Sequence, residues 1–168
     1  MEKNKMIKIK SLQRATVGLT VPYLNLRRTW ERKGAVKQIP FELLSQAIFE
    51  PGVEYLFKSG VLFIDDLDAR VALGLEEEGV TEETAKLFEL TDEVAEQLLM
   101  KDSLPKFKEE LEKFSRLQLL ELSDIAIEKG LTDYEKTRVL KSKTGKDVLG
   151  IVIRNNQEAE ADNQDKQD

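Results

Sequence analysis

Between residues 39 and 75 one helix-start signal and one helix-stop signal follow another, and that punctuation limits what the chain can build. Ile39-Pro40-Phe41 opens a helix, since the fixed φ of proline suits a first helical turn and its missing N–H is not needed there. Glu50-Pro51-Gly52 interrupts it, a second short helix fits Val53–Lys58, and Ser59-Gly60 ends that one. Val61-Leu62-Phe63-Ile64 is a fully apolar run of strand length, closed by Asp65-Asp66. Leu67–Leu73 then allows a further turn or two of helix before Gly74, which stands where a left-handed C′ residue belongs. The stretch reads as helix–helix–strand–helix around a buried strand. It carries no catalytic or cofactor signature, and neither does the rest of the chain.

Upstream, residues 1–10 read as a polar, basic lead-in, loose or an edge strand. The roughly alternating, β-branched stretch up to Val21 predicts a strand that Pro22 ends. Tyr23–Trp30 alternates as a second strand, with a short helix as the other reading, and Ala35–Ile39 returns as a third after a turn at Lys33-Gly34. These three segments predict a small β-meander. Downstream, Glu76-Glu77-Glu78 marks an acidic loop, and Lys86–Leu90 reads as a strand that could rejoin the sheet. Thr91 and Ser115 fit helix N-caps, Ser103 opens another helix with Pro105 in its first turn, Thr132-Asp133 caps a further one, and Gly130 and Thr144-Gly145 fit stops. The helix from Ser115 has apolar residues all round (Leu117, Leu119, Leu120, Leu122, Ile125, Ala126, Ile127), so it should be central, packed between neighbours. From Asn155 on there is no large apolar side chain, which predicts a disordered tail.

The fold class expected is therefore α+β: a small N-terminal β-rich unit with packed helices over 1–90, a helical bundle over 91–154, and a disordered acidic tail over 155–168. No apolar run approaches the roughly 18 residues a membrane span needs. The basic N-terminus is not followed by the apolar stretch of a signal peptide, so synthesis in the cytoplasm without export is the simplest reading. There is no cysteine and no histidine. The first absence rules out disulfides and thiolate chemistry, and the second removes the usual base near neutral pH and the commonest metal ligand. The chain reads as non-enzymatic, with no cofactor and no metal.

Three stretches invite chemistry. Lys141–Asp147 has the Gly-Lys pair of a phosphate loop, but Asp147 stands where a hydroxyl is required and Leu140 where the first glycine belongs; a helix–helix turn fits better. Asp65, Asp66, Asp68 and the glutamates at 76–78 lack the alternate spacing of a calcium loop, so capping and solvation explain them. The best binding candidates are Tyr23, Arg27, Arg28, Trp30, Arg32, Lys33 and Lys37, arginines interleaved with aromatics, suited to phosphates and stacked bases. Residues 1–40 carry ten Lys and Arg against Glu2 and Glu31, while residues 41–100 carry three against fifteen acids. Such a basic head can reach an anionic partner, or it can be neutralised within the fold, with Trp30 in the core. Phe41, Phe49, Tyr55, Phe57 and Phe63 read most simply as core, and as a subunit-receiving cluster if the 61–64 strand lies at an edge.

Arg28-Thr29-Trp30-Glu31-Arg32-Lys33-Gly34, with Glu50–Tyr55, Asp65-Asp66-Leu67, Leu73-Gly74-Leu75 and the Thr144–Asp147 end, resembles small proteins encoded in tailed-phage genomes. The resemblance supplies no catalytic residues. It implies a structural or assembly protein of the phage particle, made in the host cytoplasm and carried into the virion, with other virion or assembly proteins and copies of itself as partners. Nucleic-acid binding or regulation through the basic head is the alternative.

Overall fold

The computed structural model describes residues 1–166, and the chain forms two compact units, Met1–Glu89 and Leu90–Asp168. In the first unit β1 (Met6–Ser11) alternates, burying Ile7, Ile9 and Ser11 while Met6 and Lys8 face out. It pairs antiparallel with β4 (Val36–Pro40), Ile7 opposite Ile39, and on its other edge with the two-residue β5 (Leu62–Phe63). The basic lead-in is thus the middle strand of the sheet β4-β1-β5, neither loose nor an edge. Its lysines belong to the outward half of a period-two pattern whose inward half is fully apolar at Ile7 and Ile9.

β2 (Val17–Val21) and β3 (Leu26–Trp30) make a separate antiparallel hairpin through a 3-10 turn at Pro22–Leu24. Asn25 closes that turn at φ 50°, a left-handed conformation its short polar side chain tolerates. The expected meander is therefore corrected: β4 leaves the hairpin and pairs with β1. The hairpin turns Val17, Leu19, Val21, Leu26 and Trp30 inward. Trp30 is fully buried, and its indole N–H donates to the Ile9 carbonyl at 2.9 Å.

α1 (Phe41–Ala47) begins at the Pro40 signal, and α2 (Pro51–Lys58) begins at Pro51, two residues before the expected Val53, because the proline that interrupts one helix also suits the first turn of the next. α3 (Leu67–Ala72) is capped by Asp66, which accepts from the Ala69 amide at 3.0 Å and from Lys5 at 2.6 Å. Lys5 first, and the Ala69 amide after it, hold this carboxyl below the usual aspartate range. Gly74 ends the helix at φ 73°, where a Cβ would be strained.

The strand expected at Lys86–Leu90 does not form. The Glu76 carboxylate accepts from the Lys86 and Leu87 amides at 3.0 and 2.6 Å, and the Arg70 guanidinium donates to the Leu87 carbonyl at 2.8 Å. Side chains thus satisfy backbone groups that a sheet ladder would otherwise take. Arg70 and Glu76 are both buried, Arg70 stacks over Phe63 at 5.0 Å, and its outer nitrogen reaches Glu82 at 2.7 Å. Removing one partner of such a set strands the other's charge. Arg70→Met is expected to lower the unfolding free energy by about 3 kcal/mol, read by denaturant titration of the whole chain.

In the second unit the first four helices begin at expected caps, and the last begins at Asp147, a cap that the sequence reading does not single out. α4 (Asp92–Glu96) starts at Thr91 and runs into a π-helical turn at Gln97–Lys101. α5 (Leu104–Leu111) starts at Ser103, α7 (Tyr134–Thr144) at Asp133, and α8 (Val148–Asp165) at Asp147. α6 (Arg116–Glu128) has a full capping box: Ser115 accepts from the Gln118 amide at 3.2 Å while Gln118 accepts from the Ser115 amide at 2.9 Å. α6 packs against both α7 and α8, and Leu122, Ile125 and Ala126 lie in the core with Phe107, Leu111, Leu140, Val148 and Val152. Lys136 is buried among them; its ammonium donates to the Leu98 and Leu99 carbonyls at 3.0 Å each and lies 5.4 Å from the Phe107 ring centre. The Lys141–Asp147 stretch is a helix–helix turn, with Gly145 at φ 77° and Lys146 paired to Asp124.

Beyond Val152 every described side chain is exposed, as the composition of the tail requires, while the backbone continues as helix to Asp165. Alanine, glutamate and glutamine extend a helix readily once its first turns are held by packing; residues 167–168 lie outside the described residues. Among the described residues no helix is long and apolar enough to cross a membrane. Ile125→Asp puts an unpaired carboxylate into the core of the second unit. It should cost at least about 3 kcal/mol and remove helical circular dichroism at ambient temperature.

Candidate protein-docking face

The seven residues picked out from the sequence do not form one site. Trp30 is core. On β3, Arg27 stands opposite Thr20 on the solvent face, whereas Arg28 lies opposite Leu19 on the inward face. Arg28 is spent on backbone carbonyls, donating to Arg27 at 2.8 Å and to Gln38 at 3.5 Å. Lys37 pairs with Glu31 at 3.4 Å. The Glu31 carboxyl titrates below its usual range, held first by its own backbone amide and then by Lys37. Arg32 is exposed and Lys33 half-buried in the turn before β4. The basic head is therefore divided between two faces of the hairpin, and the interleaved aromatic needed to stack a base is withdrawn into the core.

Tyr23 is the exception. It is 67% exposed, and its hydroxyl donates to the Glu50 carboxylate at 2.8 Å. That bond brings the hairpin turn to the start of α2, where the neighbouring residues are unusually apolar for a surface. Phe49 is 84% exposed and Tyr55 57% exposed, with Pro51 exposed between them. Pro51 and Tyr55 are four apart on α2 and share a helix face. Of the five aromatics expected in the core, Phe57 and Phe63 are buried and Phe41 half-buried, but Phe49 and Tyr55 are on the surface. The signal for this was present in the sequence: Phe49 sits at a helix stop, directly before Glu50-Pro51-Gly52, where a side chain has no helix face to turn inward.

Beside this patch a groove of about 390 Å³ runs between β2 and α2. Its walls are Gly18–Tyr23 on one side and Glu50, Gly52, Val53 and Leu56 on the other, with no residue of β3. It therefore follows the edge of β2 that has no partner strand among the described residues. Comparison with known protein families, with curated proteins and with solved structures found no match.

The Tyr23–Glu50 bond, backed by the charge of Glu50, raises the phenol above its ordinary range. With three tyrosines in the chain, the difference between the ultraviolet pH titrations of wild type and Tyr23→Phe isolates this one. It should ionise at higher pH than free tyrosine and return towards the ordinary value in Glu50→Gln.

Proposed function

We propose that the protein acts without catalysis, by docking other proteins onto the first unit through the aromatic face around Tyr23, Phe49 and Tyr55. The observation that carries this reading is the exposure of Phe49 and Tyr55 beside a hydrogen-bonded Tyr23. Binding energy in protein interfaces concentrates in such aromatic side chains, and a surface that spends them on water gains nothing by it. The resemblance to proteins of tailed-phage genomes suggests the setting: a virion component or an assembly factor, with other such proteins, or further copies of this chain, as partners. Nucleic-acid binding has less support, because Trp30 is enclosed and Arg28 and Lys37 are engaged within the fold.

A photoreactive amino acid at position 49 tests the docking role in cells that make the protein. It should form crosslinks to protein, and their yield should fall several-fold in Tyr55→Ser, while the melting temperature stays within the shift expected of about 0.5 kcal/mol. Absence of such crosslinks, together with submicromolar DNA binding that falls steeply with salt and is lost on replacing Arg27, Arg32 and Lys33, would replace this reading with the nucleic-acid one.

A further inference from the structure

Folded proteins guard the outer edges of their sheets with charged side chains, prolines or bulges, because a bare edge pairs with any extended chain. β2 has no such guard. Its sequence is Val17-Gly18-Leu19-Thr20-Val21, and among the described residues it pairs only with β3. Every second residue of β2 therefore directs an N–H and a C=O away from β3 and towards the groove. A strand needs about 4.8 Å of width in that direction. The groove keeps its walls low where such a strand would lie: no described residue comes within 4 Å of the position a Cβ would take at Gly18, or at Gly52 across from it.

α2 narrows what can enter. The β2 edge of a second copy would bring its own α2 against this one, whereas a lone extended segment occupies only the width of one strand. The groove is also chemically selective. Among the described residues Glu50 is the one charged residue on its walls, and its hydrogen-bond partner, Tyr23, is neutral. Val53 and Leu56 supply apolar surface along the α2 side.

We propose that this groove binds an extended peptide segment of a partner protein, added to β2 as a further strand, with a lysine or arginine of the segment opposite Glu50. The proposal rests on the docking reading above and names the ligand that this face takes. Backbone pairing supplies the affinity in this mode of recognition, and alternate side chains supply the selectivity.

The test screens the full chain against a library of short random peptides, then titrates the most enriched one by fluorescence anisotropy and follows the backbone amides by NMR. Enriched sequences should alternate apolar residues with at least one lysine or arginine, and binding should protect amides within residues 17–21. N-methylation of alternate peptide residues should abolish binding. Gly52→Phe, which fills the groove, and Thr20→Lys, which charges the edge from its solvent face, should each weaken it by about tenfold or more. Glu50→Gln should remove the preference for basic peptides. A library that yields no binder, or binders indifferent to both Gly52→Phe and Thr20→Lys, overturns the proposal. So does protection of residues 17–21 without peptide at a doubled solution mass, since β2 then pairs with a second copy. If peptides fail while crosslinks at position 49 persist, the docking role stands and only the strand-addition mode falls; if both fail, the docking reading falls with it.

Discussion

One buried hydrogen bond decides which side of the hairpin is left open. The Trp30 indole donates to the carbonyl of Ile9, on the middle strand of the larger sheet. A tryptophan enclosed on all sides contributes on the order of 3–5 kcal/mol, so the hairpin has little freedom to dock any other way. Because Trp30 belongs to β3, it is β3 that faces the sheet, and the Arg28 guanidinium adds a long contact to the Gln38 carbonyl on β4. β2 is left outermost. The groove, the unguarded edge and the placement of Tyr23 over Glu50 all follow from that orientation.

The same unit shows how a segment can be ordered without secondary structure. Residues 75–89 would be a long irregular connection if left to themselves, and such connections are uncommon in compact domains. Here Arg70 and Glu76 take over backbone groups of Lys86 and Leu87 and hold them in place. The arrangement is not fully saturated, since the Arg70 Nε is buried without an acceptor among the described residues. Hydrogen bonds to a charged group are stronger than neutral ones, which is why the arrangement holds despite that gap.

What could be read in the sequence was the local chemistry. Helix starts at Pro40, Asp66, Thr91, Ser103, Ser115 and Asp133 lie where capping and proline rules put them, because each rule concerns a backbone group and a side chain within a few residues. The crowded apolar pattern of α6 likewise marked it as packed against two neighbours, which are α7 and α8. What could not be read was partnership over distance. The lysines of β1 concealed a middle strand, because charge on the outward face says nothing about how many neighbours a strand has. Lys86–Leu90 has the composition of a strand but meets carboxylate and guanidinium groups instead of a ladder. The basic cluster looked like one surface only because residues 23 to 37 are close in sequence; the pleat of β3 sends Arg27 and Arg28 to opposite faces. Of that cluster, Tyr23 alone lies on the aromatic face, and its neighbours there, Phe49 and Tyr55, have the composition of core residues but are exposed.

The buried lysine of the second unit has a chemical consequence. Two of the three N–H groups of Lys136 are used on the carbonyls of Leu98 and Leu99, and the ammonium lies against the Phe107 ring. An amine-acylating reagent requires a solvent-facing nitrogen, and the folded unit does not offer one at this position. Acylation of Lys136 must therefore wait for α7 to separate from the π turn, while the exposed lysines of the same unit react at once. The ratio of those two rates is a chemical clock for local opening, and its dependence on denaturant reports how much surface that opening uncovers.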